Sequence, residues 1–140
     1  MTTSSKAIDR LFGRDLWFDV TQGEGADLII TPAKDWQFVV GREAMRQSLI
    51  RRLITNPGEW TTLPDFGVGA RLFLKARNTR SNRDLLCERI RAQFLRDDRV
   101  ASVDKIAVEM TPTSLALAID VTPIGRLATG AALRVQTVVR

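Results

Sequence analysis

The chain predicts an α+β fold, a mainly antiparallel β-sheet with two amphipathic helices packed on one face. Three observations carry this. Met45, Leu49 and Leu53 recur every fourth residue with Ile50 and Ile54 beside them, the apolar stripe of a helix. Leu86, Ile90 and Phe94 repeat that period further on. Between 105 and 121 the period falls to two. Ile106, Val108 and Met110 alternate with Lys105, Ala107 and Glu109. Leu115, Leu117, Ile119 and Val121 then alternate with Ala116, Ala118 and Asp120 beyond a turn at Thr111-Pro112-Thr113-Ser114. Two such runs across a short turn read as a β-hairpin, and helices segregated onto such a sheet give a layered α+β arrangement. At 140 residues the chain is read as one domain, 1–140, with residues 1–15 as a peripheral arm.

In chain order, the polar start leads to AIDRLFGRDL, one helical turn around Ile8, Leu11 and Phe12. Three short strand candidates follow. LWFDV alternates Leu16, Phe18 and Val20 with Trp17 and Asp19, and Gln22-Gly23-Glu24-Gly25 turns the chain. DLIIT ends at Pro32, and WQFVV puts Trp36, Phe38 and Val40 on one face. The first long helix has Arg46, Gln47, Arg51 and Arg52 on its polar side and is stopped by Asn56-Pro57-Gly58. Residues 58–69, with Gly58, Pro64, Gly67 and Gly69, hold too many breakers for regular structure. RLFLKARNTRSNRD carries the chain to the second helix, capped by Ser81 or Asn82 with Asp84 near its start. Cys87 beside its stripe reads as a small buried hydrophobe. After the hairpin, a loop from Pro123 to Gly130 enters a last strand around Leu133, Val135 and Val139.

Composition narrows the function. No apolar run reaches the roughly 20 residues of a membrane span, and the start lacks the apolar core of a secretory signal. One cysteine and no histidine leave neither a disulfide nor a zinc cluster, and remove the commonest general base. No cofactor is expected, and folding in the cytoplasm is. The net charge is +5, and the excess of Lys and Arg lies in the helical middle, 41–99. Such a middle suits an acidic protein surface or a polyanion, and Arg51 and Arg52 are candidate contacts. Nucleic-acid binding is therefore one alternative. Against it, no aromatic RNA-binding strand motif, zinc finger or helix-turn-helix spacing is present.

LITNPGEWTTLPDFGVGARL resembles the signature of the baseplate wedge proteins of contractile phage tails and injection systems, the phage protein W and T-even tail lysozyme-like family. That pattern runs leucine-x-threonine, glycine-glutamate, proline-x-tyrosine-glycine. Here it is Leu53-Ile54-Thr55, Gly58-Glu59 and Pro64-Asp65-Phe66-Gly67, with phenylalanine for tyrosine. A downstream Glu-Pro-Arg-Val has its counterpart in Asp97-Asp98-Arg99-Val100, without the proline. The likeness spans about Gly41 to Ile124.

The resemblance implies a structural baseplate component that attaches the wedge to the tube-proximal hub and initiates sheath assembly. Its implied partners are wedge proteins, sheath subunits joined by strand pairing, and tube or hub proteins, with no membrane and no nucleic acid. It is expected in the cytoplasm during assembly and afterwards in the baseplate of the virion or injection particle. By the same resemblance Asp97, Asp98 and Arg99 dock onto the wedge. Truncating Arg99 should then weaken wedge binding and change the stability of the isolated domain much less. The strands Leu115–Val121 and Leu133–Val139 present the edge that receives a sheath strand, with Leu133 and Val135 as its markers and proline at Val135 as the test. The lysozyme label raises a glycoside hydrolase as a further alternative. That chemistry wants two carboxyl groups about 5 to 10 Å apart, and Glu59 and Asp65 are the only candidates in the loop. The expectation is no enzyme, with Glu59 bonded to turn amides and Trp60 and Phe66 anchoring the loop.

Overall fold

In a computed structural model the described residues are 12–19, 27–124 and 132–140. Seven strands and three helices lie within them, in the order β1 (Arg14–Leu16), β2 (Phe18–Asp19), β3 (Asp27–Leu28), β4 (Phe38–Val40), α1 (Gly41–Ile54), α2 (Ala70–Leu74), α3 (Arg80–Phe94), β5 (Val100–Met110), β6 (Leu115–Pro123) and β7 (Leu133–Val139). The α+β class holds, with every strand pair antiparallel. The strands form three small sheets rather than mainly one: β1-β4, β2-β3 and β5-β6-β7. The expected helical turn around Ile8 and Leu11, Val20, the turn at 22–25 and most of the 123–130 loop lie outside the described residues.

α1 forms where expected and carries Met45, Leu49, Ile50 and Leu53 into the core. It ends as the sequence dictates. Thr55 turns extended, its N–H and Oγ1 both bonding to the Arg51 carbonyl, and Pro57 cannot continue the ladder. α3 buries Leu86, Ile90 and Phe94. Its N-cap is Thr79, whose Oγ1 accepts from Asn82 N at 3.2 Å, instead of Ser81 or Asn82. A one-turn misplacement arises because several cap-competent residues stand in a row. α2 was not expected: five residues, ARLFL, are too few to show a period, yet Ala70 and Phe73 reach the core.

The two long helices cover one face of the β5-β6-β7 sheet. Leu115, Leu117, Ile119 and Val121 of β6 and Leu133, Val135 and Val139 of β7 meet Met45, Leu49, Leu53, Leu86, Ile90 and Phe94 in one cluster. Fully burying a side chain of this size stabilises by about 1.5 to 3 kcal/mol. Cys87 is half-buried, and burial with the Asp84 charge pushes its thiol pKa up, as for an inert packing residue.

The N-terminal strands depart most from expectation. LWFDV is split at Trp17, whose N–H bonds Gln37 O while its carbonyl accepts from Ile29 N. One strand thus changes partner from β4 to β3. Trp36, Phe38 and Val40 do share a face, but it is the exposed one, and Val39 turns inward. Gln47, assigned to the polar side of α1, is buried because it serves as a backbone partner for this region. Its Oε1 accepts from Phe18 N, and its Nε2 donates to Leu16 O at 2.6 Å and Asp15 Oδ2 at 3.3 Å. No helix among the described residues is long and apolar enough to cross a membrane.

Candidate functional site

The loop 55–69 closes over the C-terminal end of α1 and meets its unsatisfied carbonyls. Val68 N donates to Arg52 O and Gly69 N to Thr55 O, both at 2.9 Å. Gly58 N donates to Pro64 O at 2.7 Å, which pinches the loop shut. Glu59 Oε2 accepts from Asn56 N at 2.9 Å, so the carboxylate staples the turn after the helix. Trp60 stacks on Phe66 with centroids 5.4 Å apart, and the Arg52 guanidinium lies 4.6 Å from the Phe66 centroid on the ring face. From the other side, α3 holds the loop. Gln93 Nε2 donates to Asp65 O at 2.8 Å, Gln93 Oε1 accepts from Gly67 N, and Arg96 also reaches Asp65 O. Leu53, Thr55, Gly58, Glu59, Pro64, Phe66 and Gly67 thus form one structural unit.

Arg46 pairs with Glu43, whereas the buried Arg52 Nε has no hydrogen-bond partner among the described residues. Arg51 pairs with Asp15 and sits over the Phe18 ring. Burial lowers the Arg52 pKa, with the Asp97 charge opposing and Arg99 and Arg96 adding to the fall.

Asp97 and Arg99 form an internal strut. Arg99 Nε donates to Asp97 Oδ1 at 2.8 Å and Nη2 to Oδ2 at 2.7 Å, a bidentate fork. Nη1 donates to Phe12 O and Nη2 to Ser48 Oγ, both at 2.9 Å, and Arg99 N bonds Asp97 Oδ1. The guanidinium therefore ties together the 94–100 turn, α1 and the segment before β1. Asp97 is 6% exposed, whereas Asp98 faces solvent. Burial pushes the Asp97 carboxyl up, but the Arg99 hydrogen bonds and the Arg99 and Arg52 charges outweigh it and hold it below the ordinary range. The Arg99 partners thus lie inside the fold, so losing Arg99 is expected to cost stability, in contrast to the much smaller change expected from the resemblance.

The third region is the sheet edge. β6 lies between β5 and β7, so Leu115–Val121 has both sides paired and offers no edge, contrary to expectation. Among the described strands the outer ones are β7 and β5. Their outward groups follow from the hairpin. Thr111 N donates to Ser114 O at 2.9 Å, which makes that pair hydrogen-bonded, and bonding alternates from there. Leu115, Leu117, Ile119 and Val121 then bond towards β7, where they face Val139, Thr137, Val135 and Leu133. The backbone groups of Arg134, Gln136 and Val138 consequently point out. Two side-chain bonds agree with this phase: Arg46 Nε donates to Arg134 O and Asn78 Nδ2 to Met110 O. Leu133 and Val135 are fully buried core residues whose N–H groups bond inward, so proline at Val135 would break the ladder to β6 itself. The sequence could not show this, since strand order and bonding phase are tertiary properties.

Among the described residues no cluster of His, Cys, Asp or Glu could hold a metal ion. A family model described as contractile injection system sheath initiator matches residues 14–125, from β1 to just past β6. No curated protein matches the chain.

Proposed function

The chain belongs to the contractile injection system sheath initiator family, and from that premise we propose that β7 is the edge to which the first sheath subunit adds a strand. A sheath initiator is a baseplate component at which sheath assembly begins. The observation that carries the proposal is the sheet order, with β7 bonded among the described strands to β6 alone. β5 is the poorer template, because its pairing with β6 is interrupted at Val100/Ser102 and Val103/Lys105. Such irregularities twist an edge away from partners. β7 pairs without interruption from Leu133 to Val139. Main-chain bonds along it would supply affinity, as in other strand additions.

Contact with wedge proteins is assigned to the exposed groups around the signature loop and the 94–100 turn, Glu59 and Asp98. Arg99 and Asp97 hold that corner in shape. One contiguous core supports a single functional domain. The likeness to phage protein W and the tail lysozyme group rests on the signature residues alone, and in it Glu59 is a turn staple rather than a catalytic acid. Purified protein is expected to leave a peptidoglycan suspension turbid. Clearing that vanishes in a folded Glu59→Gln variant would establish the hydrolase instead.

Edge pairing is tested with Gln136→Pro and Val138→Pro. Each removes one outward N–H from a solvent-facing position and leaves the bonds to β6 in place. Both should keep cooperative unfolding and fail to seed sheath on assembled baseplates. Normal sheath growth on either folded variant would refute the proposal.

A further inference from the structure

The β7 edge is not uniformly open. Its outward backbone groups belong to Arg134, Gln136 and Val138, and the Arg134 carbonyl is already occupied by Arg46 Nε at 2.9 Å. Arg46 is itself held, since Nη1 pairs with Glu43 one turn back on α1. The Arg134 side chain is fixed on the solvent face of the sheet, with Nε and Nη2 donating to Asp120 Oδ1 and Oδ2 at 2.8 and 3.0 Å. Main chain and side chain are thus locked at the same residue. Four residues further on, Val138 is exposed, and neither Gln136 nor Val138 has a side chain laid across its backbone among the described hydrogen bonds.

We infer that Arg46 is a stop on the β7 edge, which sets the register of an added strand by confining its main-chain bonds to Gln136 and Val138. The inference rests on the edge-pairing reading above. The Arg46 guanidinium, bonded across the strand end, blocks continuation towards Ala132 and occupies one of the acceptors that a slipped strand would need. Register is otherwise weakly specified here, because a shift of two residues preserves which side chains face the core. Covering part of an edge with a charged side chain also limits uncontrolled self-pairing. The partner is an extended strand of a sheath subunit in either orientation, since both orientations draw on the same outward groups.

Hydrogen exchange at single-amide resolution, on the full chain bound to sheath subunits of its own particle, tests this. In the parent complex the Gln136 and Val138 amides should slow by at least about tenfold relative to the free protein, with Arg134 unchanged. In Arg46→Ala, protection should extend to Arg134. Arg46→Met, which keeps the aliphatic stem without the donor, separates loss of the bond from loss of packing and should give the same extension. Protection of Arg134 already in the parent complex, or none gained in either variant, overturns the stop while leaving edge pairing intact. Absence of protection at Gln136, Val138 and Arg134 alike overturns edge pairing itself.

Discussion

Arg99→Ala is expected to lower the unfolding free energy by about 3 to 5 kcal/mol, the range for removing one partner of a buried ion pair. The loss has a specific origin. Asp97 would remain buried with its charge, while Phe12 O and Ser48 Oγ lose their donors. Three segments distant in sequence would be released together. Urea unfolding at neutral pH measures the effect, and a change below about 1 kcal/mol would show that water replaces the guanidinium at little cost. A double variant, Asp97→Asn with Arg99→Met, should recover part of the loss, because the uncompensated charge is gone. The parent's pH dependence follows from the same pair. The folded-state Asp97 pKa lies below its unfolded value, so the stability it contributes is fully present above the unfolded pKa of about 3.9. It is lost as pH falls through the lower folded value. In Arg99→Met the side-chain hydrogen bonds and charge of Arg99 are lost while the Arg52 charge and the residue-99 amide remain, so the pH-dependent stability contributed by Asp97 should shrink.

What was legible in the sequence is what repeats over a dozen residues. The stripes of α1 and α3 and the alternation of β6 encode burial directly and the buried sets match them, while Ile106, Val108 and Met110 of β5 are half-buried against that core. The N-terminal strands were legible as strands but not as surfaces. Trp36, Phe38 and Val40 alternate correctly, yet alternation cannot say which face meets the core when both faces are apolar. Gln47 lies at a polar position by pattern and is buried because β1 and β2 need a side-chain partner for the Phe18 and Leu16 backbone. α2 is shorter than any periodic window. At the candidate site the signature loop could be located in the sequence, and Glu59 accepts from a turn amide, Asn56 N, as expected of it. The edge was half legible: two strands were nominated, and only pairing order shows that β6 is interior and β7 is not.

Gly67→Ala should be the most damaging small substitution in the loop, at about 2 to 4 kcal/mol from backbone strain and overpacking combined. Gly67 has φ +110°, a conformation L side chains rarely adopt, and a Cβ there would stand 2.2 Å from the Thr55 carbonyl oxygen. That neighbour is backbone at the end of α1 and already accepts from Gly69 N, so it cannot retreat without breaking the closure of the loop. The strain would spread to the Gln93 contact with Gly67 N and to the Phe66 ring, which meets Trp60 and Arg52. Two neighbouring glycines calibrate the claim. At Gly69 the added Cβ meets Pro57 Cδ at 2.9 Å and Leu72 Cδ1 at 3.0 Å, longer approaches than at Gly67, and the Leu72 end can rotate aside. At Gly58 it meets nothing within 4 Å, leaving only the left-handed backbone cost of about 1 to 2 kcal/mol. The expected order of destabilisation in denaturant titrations is therefore Gly67→Ala, then Gly69→Ala, then Gly58→Ala. Equal losses at Gly67 and Gly58 would mean that the loop lifts away from α1 freely. The signature glycine would then have no packing role, and the threonine and glycine of the motif could not be explained as one contact.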